Sequence, residues 1–262
     1  DGDKPARDIL LEYCRFFFGP EVAERATDGI FLLEKNWDGP IDENPTIETT
    51  LAHWQELQRA HPQLKDNWRW QMLVVRGYYK AYTKARLFRE RLLETQANEA
   101  LLQRENRTPA QAIEAALQLL QTPDTEPVRP ELRERIVTLF DDLFQSIQLQ
   151  TDTEKYQASG TERGASLEFL DYPLNNRWWL EDEFSKVAEL QDTDAQWARL
   201  EELAKWENPG PGSFYDDIGH MSRSPNVVRG EDGAPVGGGA AWWDNGYSRA
   251  RLAWQITTWP RR

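Results

Sequence analysis

Residues 65–105 read KDNWRWQMLVVRGYYKAYTKARLFRERLLETQANEALLQRE, and this stretch decides the fold class. It holds no proline and a single glycine, Gly77. Val74, Tyr78, Ala81, Ala85, Phe88 and Leu92 recur at steps of three and four, the spacing that lines one face of an α-helix. At the α-helical rise per residue, an unbroken helix of this length spans roughly 60 Å. Apolar residues also stand off that stripe, at Trp68, Trp70, Met72 and Leu87. A helix that is apolar on several sides is packed on more than one side, as at the centre of a bundle.

Working towards the start, residues 6–18 carry Ile9, Leu10, Tyr13, Phe16 and Phe17 at helical spacing. Gly19-Pro20 stops that helix and starts another, with Pro20 at a first-turn position. The second helix runs to about Trp37 through Val22, Ala26, Ile30 and Leu33, and Asp38-Gly39-Pro40 turns the chain. Asn44-Pro45 reads as N-cap and first helical residue, opening a helix with Ile47, Leu51, Trp54 and Leu57 on one face.

Towards the other end, Thr108-Pro109 opens a helix with Ile113, Ala116, Leu117 and Leu120. Arg129-Pro130 precedes another with Leu132, Ile136, Leu139, Leu143 and Ile147. Short connections favour antiparallel packing of the long helix with these two. Residues 151–166 are polar, with Gly160 and Gly164, and read as a loop. Residues 174–180 lead into a helix ending near Leu190. Asp192 or Asp194 then caps a last helix through Trp197, Leu200, Leu203 and Trp206. The expected fold is mainly α: an antiparallel helical array or bundle forming a domain over residues 1–206.

Residues 207–262 differ in character. They hold Asn208-Pro209-Gly210-Pro211-Gly212, then Gly219, Gly230, Gly233 and Gly237-Gly238-Gly239, which is the chemistry of an extended segment. Within Arg251–Trp259, Leu252, Trp254 and Ile256 alternate as in a β-strand. A lone strand needs partners. Here they are expected from residues past Arg262 or from another chain, with 207–262 leading into a truncated β-domain. The opening Asp1-Gly2-Asp3-Lys4-Pro5 is neither a signal peptide nor an initiator Met. Both ends therefore suggest a piece of a larger protein.

The charge balance narrows the partners. Lys plus Arg number 31 against 44 Asp plus Glu, a formal net charge of −13 over 262 residues. Nucleic acid and anionic membrane surfaces select clustered basic residues, so neither is an expected partner. No window approaches the 18 or so apolar residues of a transmembrane helix. Cys14, the single cysteine, sits in an apolar run and reads as a small buried hydrophobe. Twelve tryptophans exceed the needs of a core this size, and stacking surfaces for ligands are one use of the excess.

No catalytic residue and no cofactor can be assigned from motifs. His53, His61 and His220 are far apart, and no HExxH, CxxC, GxSxG, P-loop or dinucleotide fingerprint occurs. The densest polar cluster is Phe214-Tyr215-Asp216-Asp217-Ile218-Gly219-His220. Asp216, Asp217 and His220 suit a hard cation or acid–base work, which makes a metal-dependent enzyme one alternative. An Asx-type turn explains the same residues, and no metal site is assigned. Glu48, Glu56, Asp141, Asp142, Glu181, Asp182 and Glu183 read as solvated helix-face acids. Trp68/Trp70, Trp178/Trp179 and Trp242/Trp243 are close pairs. Adjacent helical residues point about 100° apart, so one ring of such a pair is left for a neighbouring domain or a ligand. The ligand-binding candidates are Arg177, Trp178, Trp179, Phe214, Tyr215, Asp216 and Asp217, with residues 208–220 folding back onto the helix of the two tryptophans. Rings that stack on sugar C–H faces, beside fixed polar groups for the hydroxyls, would suit an oligosaccharide.

Four runs carry a resemblance: residues 170–181 (LDYPLNNRWWLE), 208–219 (NPGPGSFYDDIG), 15–19 (RFFFG) and 34–40 (EKNWDGP). Together they resemble the C-terminal helical region of large bacterial proteins of planctomycete-like and acidobacterial lineages. In those proteins a barrel resembling glycoside hydrolases, of the α-glucuronidase and hexosaminidase-like types, precedes the helical region and a β-rich region follows. The resemblance implies an accessory helical domain packing on an upstream barrel of the same polypeptide, with secretion or a periplasmic location. The family pattern tends to Gly and Asn where this chain has Ser213 and His220, which argues against a catalytic His220. A stand-alone helical binding or scaffold protein is the other alternative.

Overall fold

The computed structural model describes residues 4–158, 167 and 170–205. Over them the chain is mainly α-helical: α1 Ala6–Phe18, α2 Ala23–Lys35, α3 Thr46–Ala60, α4 Trp68–Leu101, α5 Pro109–Thr125, α6 Pro130–Ile147, α7 Arg177–Glu189 and α8 Thr193–Ala204. A 3₁₀ turn, Pro62–Leu64, precedes α4, and no strand occurs among the described residues. The extended segment expected over 207–262, and the strand within it, lie outside those residues.

The helix ends follow local chemistry. Gly19 ends α1 at φ 100°, a backbone value that side chains with a Cβ rarely adopt. The expected Asn44 cap is not the observed one: α3 begins at Thr46 with Pro45 as its N-cap and no side-chain cap bond, and Asn44 Oδ1 accepts the Thr46 N–H at 2.8 Å in the turn before it. Thr108 and Gln111 form a reciprocal capping box at the start of α5. Of the two acids offered for α8, Asp192 is the cap, accepting from the Asp194 and Ala195 N–H groups.

The described residues fall into two compact units. The first takes residues 4–84 and 129–157, and the second takes 85–128 with 170–205. Helix α4 thus contributes residues 68–84 to one and 85–101 to the other. Helices α5 and α6, expected to pack together with α4 as a single array, belong to different units.

The first unit is built around Trp54, which is fully buried on α3. Its ring meets Trp70 edge-on at 5.3 Å, and Trp70 meets Phe18 likewise at 5.3 Å. Gly29 on α2 lies against Trp54 so closely that a Cβ there would stand 2.8 Å from Cζ2. Trp70 is buried while Trp68 is exposed: two positions apart on a helix, they point about 200° from each other, on opposite sides. Cys14 is fully buried, and burial raises the pKa of its thiol.

In the second unit Ala97, Leu101, Ala112, Ala116, Leu120, Leu180, Phe184, Val187, Trp197, Leu200 and Leu203 form one core. One sequence expectation fails here: Phe88 and Leu92 are exposed, at 67% and 42%. The inward side of α4 instead carries Arg86, Glu90, Leu93, Ala97 and Leu101. Polar side chains hold inward positions because hydrogen bonds satisfy them, and a pattern of apolar residues cannot report that.

Candidate functional site

The candidate site starts at Pro173. Proline disfavours helix at the residue before it, so residues 170–174 cross α4 as irregular chain. Their carbonyls need donors, and Arg86 supplies them. It donates to the Leu170 carbonyl, and its Nη2 donates to the Tyr172 carbonyl at 2.7 Å. One turn along α4, Glu90 pairs with Arg86 at 2.6 Å through Oε1. Glu90 Oε2 accepts the Leu174 N–H at 2.6 Å, and the Glu90 carbonyl accepts from the Asn175 carboxamide at 3.0 Å. A further turn on, Glu94 accepts both the side-chain and backbone N–H of Asn176, at 2.8 and 3.4 Å.

Helix α7 begins at the next residue. Asn175 Oδ1 accepts the Arg177 N–H at 3.1 Å. Arg177 reaches back to Asp124 with both terminal nitrogens, at 2.8 and 2.6 Å, and its Nε donates to Glu181 at 3.0 Å. Gln121 also donates to Glu181, at 3.3 Å. The result is a polar clamp that ties residues 170–177 to α4 and α5 within one unit. Arg86, Glu90, Asn175, Asn176 and Glu181 are all buried.

Burial raises the pKa of the Glu90 carboxyl, opposed by Arg86 and the Leu174 N–H. Burial likewise raises that of Glu94, opposed by its bonds from Asn176 and by Arg91, while nearby Glu90 adds to the rise. The hydrogen bond from Arg177 holds Asp124 below the usual carboxylate range, and the reciprocal bond raises the pKa of Arg177. Both Glu90 oxygens accept bonds from this segment or from Arg86. Chemically the clamp does positional work: it fixes the entry to α7.

Of the sequence candidates, Arg177 is thus engaged by Asp124 and Glu181. Trp178 is half-buried, its ring tilted 61° against Tyr172 at 5.1 Å. Trp179 is half-buried against the core of the second unit. Phe214, Tyr215, Asp216, Asp217 and His220 lie outside the described residues, as does Trp242/Trp243. Glu181 and Glu183 are not solvated acids: both are buried, Glu183 pairing with Lys186 and Arg199 at 2.6 Å each. Sequence reasoning passed over Arg86, Glu90, Glu94 and Asp124. Stepping back from Leu101, Ala97 and Leu93 by threes and fours lands on Glu90 and Arg86, an i,i+4 pair in line with the core face. That was the available signal.

Among the described residues no group of three or more His, Cys, Asp or Glu is placed to hold a metal ion. No described helix is long and apolar enough to cross a membrane. Compared with protein-family models, with curated proteins and with solved structures, the chain gives no match.

Proposed function

We propose that the chain is a non-catalytic accessory helical module of a larger carbohydrate-active protein, packing on a barrel domain of the same polypeptide and contributing an aromatic sugar platform. One observation carries the reading: the clamp from Arg86, Glu90 and Glu94 fixes the entry to α7, where the half-buried rings of Tyr172 and Trp178 meet at 5.1 Å. Rings held in advance lose little freedom when a sugar stacks on them. In this reading residues 207–262 are an extended Gly/Pro-rich segment. Its Phe214, Tyr215, Asp216 and Asp217 are the further ligand-binding residues of this reading. The four runs resembling glycoside-hydrolase-like proteins support the same assignment.

Two experiments test it. Sequencing the coding region upstream of Asp1 should find a barrel-length reading frame fused to it; an initiation codon just before Asp1 favours the stand-alone scaffold instead. Affinity electrophoresis of the full chain through gels containing xylan or hydroxyethylcellulose should show retardation, relieved by Trp178→Ala. Equal mobility in every polysaccharide gel and in the blank gel contradicts the platform.

A further inference from the structure

A second feature lies in the first unit. Gln55, Gln58 and Arg59 of α3, Tyr78 of α4 and Arg135 of α6 line an open cleft of about 470 Å³. Small-molecule sites span about 300–1,000 Å³. Every lining residue carries a polar group. The Tyr78 hydroxyl donates to Gln58 Oε1 at 3.1 Å, so the Gln58 –NH₂ is not engaged by that bond. Arg59 Nε donates to the Gln55 carbonyl at 3.3 Å, which steers its guanidinium and leaves both terminal nitrogens for a ligand.

Arginines of the first unit without an ion pair include Arg69 and Arg76, which lie over aromatic rings, and the two in the cleft. Acids outnumber bases 44 to 31, and Arg7, Arg15, Arg25 and Arg129 of the same unit each have a carboxylate partner. Arg59 and Arg135 make no ion pair among the described residues. Glu56, the acid nearest to Arg59 on α3, is held by Arg25 at 3.0 Å. Glu56 also feels the Arg59 charge, but no carboxylate stands within ion-pair distance of either cleft guanidinium among the described residues, so an oxyanion in the cleft would meet two open forks. A planar guanidinium matches carboxylate and phosphate oxygens with two parallel bonds.

We propose that this cleft binds a small organic oxyanion, a carboxylate or a phosphate monoester, held by Arg59 and Arg135. The carboxamides of Gln55 and Gln58 and the Tyr78 hydroxyl hydrogen-bond the hydroxyls or remaining oxygens of the ligand. With a net charge of −13 opposing any anion at long range, the two arginines supply the local attraction.

The test titrates the full chain with inorganic phosphate, and separately with citrate, at ionic strength held constant with sodium chloride. The side-chain N–H resonances of Arg59 and Arg135 are followed by NMR. Saturable shifts of both arginines are expected with at least one probe. Saturation by phosphate alone identifies a phosphoryl ligand, by citrate alone a carboxylate, and by both an oxyanion site of either kind. The double variant Arg59→Gln/Arg135→Gln should weaken binding at least tenfold with its melting temperature unchanged. If that variant does not fold, Arg135→Lys keeps the charge, loses the fork and should weaken binding several-fold. Shifts that stay linear with both probes, or variants that bind as the parent does, overturn the proposal.

Discussion

Arg177 lays both terminal nitrogens on the two oxygens of Asp124, at 2.8 and 2.6 Å. The pair joins the last turn of α5 to the first residue of α7, 53 positions later. Asp124→Ala should therefore loosen the α7 entry while leaving the apolar core of the second unit intact. The Asp124 side chain is 59% exposed, so water screens the pair and the loss should be about 1 kcal/mol. Urea denaturation checks this. An unchanged midpoint would show that Glu181 alone suffices to hold Arg177.

Gly29 and Gly77 make a paired test of packing around Trp54. A Cβ at Gly29 would stand 2.8 and 2.9 Å from Trp54 ring carbons, whereas at Gly77 the nearest atom is Trp54 Cδ1 at an ordinary 3.4 Å. Trp54 is fully buried and lies edge-on to Trp70 at 5.3 Å. Gly29→Ala should cost about 1–3 kcal/mol by overpacking. Gly77→Ala should be neutral or stabilise by up to about 1 kcal/mol through helix propensity. Equal effects at the two sites would contradict the tight α2–α3 approach.

Glu94 sets a pH dependence. Its folded pKa is raised by burial, so the folded protein holds the proton more tightly than the unfolded chain. The stability this group contributes is present below its unfolded pKa and is lost as pH rises through its folded pKa. Glu94→Gln should then gain on the parent most at neutral pH, and the gain should shrink on acidification. Melting curves of both proteins from pH 4 to pH 8 check this. A difference that does not vary with pH rules out a shifted Glu94.

Lys80 works in the other direction. It is buried on α4, its Nζ 4.1 Å from the Trp37 ring centroid, and burial with nearby Arg76 lowers its pKa to about 7. Between that pH and its ordinary value of 10.5 the unfolded chain binds the proton and the folded one does not, so stability contributed by this group rises with pH. Lys80→Met should flatten that rise and stabilise the first unit below pH 7. Stability falling from pH 7 to pH 9 in the parent, with no change in the variant's slope, would contradict the assignment.

Much of the fold was legible because helix chemistry is local. The periodic runs and caps placed α1, α3, α5, α6, α7 and α8 within a few residues of their observed ends. What escaped was non-local. Nothing along the chain tells Glu90 that the Leu174 N–H, 84 residues away, will satisfy it, so the sequence reading passes it over. Phe88 and Leu92 fit an apolar stripe but face outward, because the neighbouring chain covers the side with Arg86 and Glu90. Arg177 and Trp178 were picked out for their company in LNNRWW. The partners that define their roles, Asp124 and Tyr172, came from the fold.

The central claim is that the clamp presents Trp178 as a surface on which a sugar stacks. The most direct measurement follows the indole N–H resonance of Trp178 in the full chain during titration with cello-, xylo- and chito-oligosaccharides, with Trp68 as an exposed control. A saturable shift at Trp178 and none at Trp68 is predicted for at least one series. In the Trp178→Ala protein that binding should disappear with the melting temperature within a few degrees of the parent. A Trp178 resonance unmoved by every series, or an alanine variant that binds as the parent does, would contradict it.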